Sequence, residues 1–115
     1  MKLFTDVIRL KQVLTNLINN AVKFTEKGEV EFGFEENEKN ITFYVSDTGI
    51  GITQSDLKII FNPFLKAANN KERVYRGTGI GLSISEKIVT SFGGKIWAES
   101  TIGKGSIFYV QLPKQ

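Results

Sequence analysis

Two glycine-rich stretches, Asp47-Thr-Gly-Ile-Gly51 and Gly77-Thr-Gly-Ile-Gly81, follow a segment carrying Asn16, Asn20 and Lys23. Glycine lets a backbone turn, and approach a ligand, where a Cβ would clash. Asn offers a neutral oxygen to a metal, and Lys a point charge to phosphate. A lone Asp can accept from the exocyclic amine of a base. Together these residue types are the parts of a pocket for a nucleotide and its magnesium ion.

The elements that would position them follow from periodicity. A helix is expected from Val7 to Phe24, capped by Asp6, with Leu10, Val13, Leu14, Leu17, Ile18, Ala21 and Val22 as its apolar stripe. Glu26-Lys27-Gly28 is expected to end it, with Gly28 at a left-handed stop. Glu29 to Glu36 and Ile41 to Ser46 alternate as strands around a loop at 36–40. A short helix is expected from Thr53 to Ile60, capped by Thr53. The stretch from Asn62 to Gly77 lacks periodicity and reads as a long mobile loop. A third helix, Ile80 to Phe92, ends at Gly93-Gly94. Strands Lys95 to Ser100 and Ser106 to Leu112 close the chain around the turn 101–105. Hairpin-joined strands pair antiparallel, and helices with one apolar face cover one side of the sheet. The fold class is therefore a two-layer α/β sandwich, whose other sheet face must be less apolar or meet something else.

Composition bounds the rest. The chain has 115 residues and a net charge of +3, enough for one domain and too mild to argue for nucleic acid. It has no Cys and no His, so disulfides, thiolate metal sites and imidazole chemistry are excluded. No apolar run approaches the ~20 residues that span a bilayer, and no signal peptide is evident. A cytoplasmic setting fits, with no membrane contact by this domain.

On a helix, Asn16, Asn20 and Lys23 fall within roughly 60° of one another. Arg9 and Gln12 extend that polar face. Such a face is usually just solvated, yet Asn mid-helix costs propensity relative to Ala or Lys. Asn19 lies at its edge with no role to assign. Asp47 to Gly51 follows a strand, where it reads as a turn and a ligand loop at once. Gly77 to Gly81 opens a helix, whose first amides attract phosphate. The second loop lacks the Lys-Ser/Thr of a P-loop, and no strand enters it as in a dinucleotide fingerprint.

Residues 9–25, Arg9 to Thr25, resemble the N box of sensor histidine kinases. Asp47-Thr-Gly-Ile-Gly51 resembles their first glycine box, Phe61-Asn-Pro-Phe64 their F box, and Gly77-Thr-Gly-Ile-Gly-Leu82 their second glycine box. The tail, Phe92 to Ser100 and Gly103 to Pro113, is similar too. The resemblance spans nearly the whole chain. It implies the Bergerat ATP-binding fold, shared with DNA gyrase, a class of heat-shock chaperones and mismatch-repair ATPases. Its sheet would be mixed but mostly antiparallel, covered on one face by three helices.

By resemblance, Asn20 is the magnesium ligand and Asn16 its neighbour near the phosphates, with a catalytic part. Lys23 contacts phosphate and Phe24 flanks adenine. Asp47 accepts from the adenine amine, with Ser106 assisting through water, and Gly49 and Gly51 shape the pocket. Phe61 and Phe64 anchor an ATP lid from Lys66 to Arg76; Gly77, Thr78, Gly79, Gly81 and Leu82 close it over the triphosphate. Both phenylalanines also read as core packing. The implied cofactors are ATP and Mg²⁺. The implied partners are a His-bearing helical dimerisation domain and a downstream response regulator.

Departures from the family pattern matter as well. The phosphoacceptor His and its helical hairpin are absent, and so are an upstream strand and helix usual in the family. The chain is expected to be one catalytic ATP-binding domain, 1–115, either a fragment of a longer kinase or a minimal domain. The family's usual His before Gly93-Gly94 is Phe92. An ATPase of the gyrase, chaperone or mismatch-repair type is disfavoured. Those relatives carry a Glu where this chain has Asn16, and Asn cannot take a proton from water. An anti-sigma serine kinase matches the boxes less well. A nucleotide-sensing module that has lost phosphotransfer stays open.

Overall fold

The computed structural model describes residues 7–23, 25–61 and 79–114. Among the described residues seven elements follow one another: α1 (Val7–Lys23), β1 (Val30–Glu36), β2 (Asn40–Asp47), α2 (Gln54–Leu57), α3 (Gly79–Ser91), β3 (Lys95–Thr101) and β4 (Gly105–Pro113). The strands form one sheet in the order β1-β2-β4-β3. Every pairing among them is antiparallel. The Leu3–Thr5 stretch, which reads as the tail of a strand, lies outside the described residues.

Period-two alternation sorts the sheet into two faces. Ile41, Phe43, Val45 and Asp47 of β2 lie opposite Leu112, Val110, Phe108 and Ser106 of β4. Ile96, Ala98 and Ser100 of β3 continue that face. Its apolar members join Val13, Leu17 and Ala21 of α1 and Leu82, Ile88 and Val89 of α3 in one core. The helices therefore cover this face, as their apolar stripes require. The opposite face is polar and aromatic. Trp97 stacks on Tyr109 with ring centroids 5.0 Å apart. The Tyr44 hydroxyl donates to Glu31 and the Tyr109 hydroxyl to Glu99, each at 3.2 Å.

Three element ends differ from the sequence expectation, each for a local reason. α1 does not stop at Gly28. Thr25 closes it instead, its hydroxyl donating to the Ala21 carbonyl at 2.8 Å and its amide to Val22 at 3.3 Å. Gly28 has φ 135° and packs against the Thr48 side chain, so it serves the approach of the chain to the first glycine loop. α2 is a single turn, because the Ile59 amide turns back to the Asp56 carbonyl at 2.9 Å. Its expected cap is present: the Thr53 hydroxyl accepts from the Asp56 amide at 3.1 Å. α3 begins at Gly79, inside the second glycine loop. It ends as expected, with Gly93 at φ 80°. The Gly94 amide reaches the Val89 carbonyl at 3.0 Å and the Gly93 amide reaches Thr90 at 2.9 Å, the two bonds of a Schellman motif.

Among the described strands β1 lies at the edge of the sheet. Its Phe32 and Phe34 point to the helix-covered side yet stay 50% and 56% exposed, because they lie at the margin of the described core. Leu17, at the centre, is 2% exposed. Truncating it leaves a cavity that the surrounding strands cannot close. Leu17→Ala is expected to lower stability by about 2–5 kcal/mol, read as a shifted urea midpoint with an unchanged slope.

Candidate nucleotide site

The site is built at the end of the sheet where β2 runs out. Asp47 is the last residue of β2 and is 7% exposed. It lies across from Ser106 at the start of β4 and from Val30 at the start of β1. The short link 25–29 leading into β1 brings the C-terminal end of α1 to that same end of the sheet. The Thr48 amide donates to Glu29 at 3.1 Å, and the Thr48 hydroxyl accepts from the Glu29 amide at 2.9 Å. These bonds tie the glycine loop to the link.

The Asp47 carboxylate accepts from two backbone amides, Gly49 at 2.9 Å and Ser106. Those bonds favour its ionised form. Burial outweighs them and pushes the Asp47 carboxyl above the usual aspartate range. No cation is among the causes of the shift. A desolvated carboxylate with spare lone pairs is built to accept from a ligand.

The first glycine loop is clasped by the β3–β4 turn. Gly51, at φ 81°, lies so close to the Thr101 carbonyl that a Cβ would overlap it. Gly105, at φ 123°, does the same against the Asp47 carbonyl. The Gly103 amide donates to the Ile50 carbonyl at 2.9 Å. The Ile52 amide donates to the Ser100 hydroxyl at 2.7 Å. These contacts within the protein fix the shape of the loop.

α1 presents its polar residues at three depths. Lys23 is exposed at the last turn, Asn16 is half-buried and Asn20 is buried at 5% exposure. The Asn16 amide nitrogen donates to the Ser85 hydroxyl on α3 at 3.3 Å, which ties the two helices together. Asn20 keeps a buried side-chain nitrogen without a hydrogen-bond partner among the described residues. Leaving such a group unpaired costs about 1–3 kcal/mol, a cost that a ligand can relieve. Asn16 also borders a groove of about 430 Å³ along α1, with Ile8, Lys11, Gln12, Thr15 and Asn19. Asn20 and Asp47 are not part of that groove, so its volume is not the base pocket. Leu82 is buried core at 1% exposure, and Phe61 is a half-buried neighbour of the core. Gly79 and Gly81 lie in the first turn of α3, where amides have no partner within the helix.

Structure therefore gathers Asp47, Gly49, Gly51 and Ser106 at one sheet end, and sets Asn16, Asn20 and Lys23 along the adjoining helix. Phe24, Phe64, Lys66, Arg76, Gly77 and Thr78 lie outside the described residues. Two polar partners escaped the sequence reading, Ser85 and Ser100. Ser100 could have been found from strand parity, because it shares the inner face with Ser106 six residues on. Ser85 had no distinguishing signal, because it is one of several polar residues on α3, with Ser83, Glu86, Lys87, Thr90 and Ser91. Among the described residues no group of three or more acidic side chains is placed to hold a metal. A metal here would need ligands from elsewhere, such as phosphate oxygens, as Mg²⁺ usually takes.

Residues 5–115 match the family model described as histidine kinase-, DNA gyrase B-, and HSP90-like ATPase. The chain belongs to this family. It is 44% identical over 118 residues to the autoinducer 2 sensor kinase/phosphatase LuxQ of Vibrio vulnificus, covering 97% of this chain and 14% of that protein. It is 41% identical over 117 residues to the sensor histidine kinase GacS of Pseudomonas protegens, covering 97% of this chain and 13% of that protein. The chain thus spans only a small part of such relatives. Its fold matches the nucleotide-free catalytic domain of histidine kinase ThkA with a TM-score of 0.80 at 36% identity, over 96% of this chain and 70% of that one. Full-length ShkA in complex with AMPPNP superposes with a TM-score of 0.79 at 32% identity, over 92% of this chain and 21% of that one. The Bergerat-type fold expected from the boxes is the fold of this sensor-kinase family member.

The burial of Asp47 yields a pH prediction. Desolvation holds its carboxyl above the usual aspartate range, so the folded chain takes up this proton more readily than the unfolded one. Ionised Asp47 therefore costs stability at neutral pH, and acidification through the raised value relieves that cost. The same proton turns an acceptor into a donor. Affinity for an adenine nucleotide is expected to fall at a pH above that at which an exposed Asp titrates. In Asp47→Asn that inflection disappears, and affinity at neutral pH drops by the ~1.5–3 kcal/mol of a charge-assisted bond. Titrations of ATP across pH check both; an unchanged inflection in Asp47→Asn would assign it to another group.

Proposed function

We propose that this chain binds ATP with Mg²⁺ and donates the γ-phosphate to a histidine on a separate helical dimerisation domain, in two-component signalling. The observation that carries the reading is the desolvated Asp47 carboxylate, held by the Gly49 and Ser106 amides at the mouth of the first glycine loop. An acceptor-only group in that setting suits the exocyclic amine of adenine. Kinship with sensor kinases, and the AMPPNP bound to ShkA, support a triphosphate nucleotide as the ligand.

The residues present fit Mg²⁺ as well. Asn20 would offer its amide oxygen to the ion while its unpartnered nitrogen donates to a phosphate oxygen, so that both ends of a buried amide are satisfied. The ion would neutralise charge developing on the transferred phosphoryl group. Lys23 would contact phosphate as a point charge, together with Arg76 and Lys66 from the lid. Asn16 would sit near the phosphates, and Gly77, Thr78, Gly79 and Gly81 would close on them, with the amides of the first turn of α3 as donors. Phe24 would flank the base, and Phe61 and Leu82 would back the pocket. Phosphoryl transfer asks mainly for positioning and charge stabilisation, and this inventory supplies both.

The chain contains no His among its 115 residues, so the acceptor would come from another domain of a longer kinase. Its product would serve a response regulator. No described helix is long and apolar enough to cross a membrane, and a cytoplasmic location suits ATP as substrate. A dedicated ATPase is the weaker reading, since Asn16 cannot act as general base toward water.

Two measurements test this. Asn20→Ala is expected to abolish the magnesium-dependent part of ATP affinity; binding of ATP·Mg²⁺ as tight as wild type would refute the ligand assignment. With γ-labelled ATP, the chain alone is expected to remain unlabelled and to hydrolyse slowly, and label is expected on a His-bearing helical domain added in trans. Stable self-labelling on Ser, Thr or Asp would overturn the histidine-kinase reading.

A further inference from the structure

Ser100 is a half-buried hydroxyl on β3 whose bond from Ile52 helps clasp the first glycine loop. Three contacts converge on its Oγ. It accepts from the Ile52 amide at 2.7 Å. It donates to the Gly105 carbonyl at 2.9 Å, an oxygen that can only accept. It lies 2.8 Å from the Ser106 Oγ. A serine hydroxyl has one proton. With that proton on Gly105, the short contact to Ser106 is a hydrogen bond only if Ser106 is the donor. One arrangement makes all three contacts hydrogen bonds, and it places the Ser106 proton on Ser100.

That arrangement fixes what the base pocket displays. Ser106 is paired with Asp47 across β4 and β2, on the same face, and is 5% exposed. Its proton is committed to Ser100, so its Oγ can only accept. The ionised Asp47 carboxylate also only accepts. A donor-bearing group must therefore face the pair. An exocyclic amine has two protons and satisfies it; a ring carbonyl meets acceptor against acceptor. A bridging water does not change the requirement, since it would donate to Asp47 and Ser106 and accept from the base. We propose that Ser100 is a specificity-determining residue, holding the Ser106 proton so that the pocket accepts a purine with an amine at position six and rejects one with a carbonyl there.

The inference rests on the reading that Asp47 faces the base, and the experiment separates the two. ATP and inosine triphosphate differ at position six, amine against carbonyl. Their dissociation constants are measured with Mg²⁺ for wild type, Ser100→Ala, Ser100→Thr, Ser106→Ala and Asp47→Asn, with thermal unfolding alongside. Wild type is expected to favour ATP by about tenfold or more. Ser100→Ala frees the Ser106 proton to donate to a carbonyl, so the preference is expected to shrink to within about threefold, partly through tighter inosine triphosphate binding. Ser100→Thr retains the hydroxyl and is expected to keep the wild-type ratio.

A merely structural Ser100 would weaken both nucleotides alike through the lost Ile52 bond. An unchanged ratio in folded Ser100→Ala therefore overturns the proposal. Should Ser100→Ala not fold, Ser106→Ala decides: a narrowed ratio through weaker ATP binding supports the proposal, and an unchanged one overturns it. If Asp47→Asn collapses the preference while both serine variants keep it, only the role of Ser100 fails. If wild type binds the two nucleotides equally, the base-reading role of Asp47 fails and Ser100 with it.

Discussion

The register of β2 against β4 is the constraint on which the site depends. Val45 faces Phe108 and Ile41 faces Leu112, all in the core, and Asp47 faces Ser106 on that same side. Because side chains alternate, a slip of one residue would move the whole set to the other face. Val45 and Val110 are fully buried, so such a slip would cost the hydrophobic stabilisation of several side chains at about 25 cal/mol per Å² of apolar area. The core thereby sets the position of a carboxylate that contributes nothing favourable to the core itself. Asp47 costs stability by being desolvated, and neighbouring apolar pairs hold it there.

The same end of the sheet shows how close approach is achieved. Gly51 and Gly105 each occupy a positive φ and each lie against a backbone carbonyl. A methyl group at either would strain the backbone and collide with main-chain atoms that the sheet prevents from moving. The first glycine loop and the β3–β4 turn are consequently one unit, joined by the Gly103 amide to Ile50 and the Ile52 amide to Ser100. Ser100 then links that unit to Ser106 and so to the neighbour of Asp47. Backbone geometry and proton inventory are coupled through a single hydroxyl.

Polar groups inside α1 carry a related cost. Asn16 offsets its partial burial through Ser85, and Asn20 holds a buried nitrogen in reserve. Unpaired buried donors are rare in native structures. Here one coincides with the position that the kinase resemblance assigns to the magnesium ligand, which is where stored instability would be recovered on binding.

Local pattern sufficed for much of this. The stripe of α1 apart from Val22, which is exposed at 58%, the alternation of β1 through β4, the Thr53 cap and the Gly93-Gly94 stop each follow from side-chain chemistry within a few residues. The boxes and their order identified the family, and the resemblance is what assigns Asn16, Asn20, Asp47 and Ser106 to a nucleotide site. Long-range geometry decided what remained. The sheet order, the exposure of Phe32 and Phe34 at an edge, the service of Gly28 to Thr48 and the length of α2 depend on neighbours distant in sequence. Ser85 lies 69 residues from Asn16, and Ser100 acquires its role only once β3 is registered on β4. Sequence by itself determined which residues could carry nucleotide chemistry, because their types and local spacing are intrinsic to the chain. Tertiary structure alone decided which hydroxyls and amides meet, because the 2.8 Å contact of Ser100 with Ser106 joins atoms brought together only by folding.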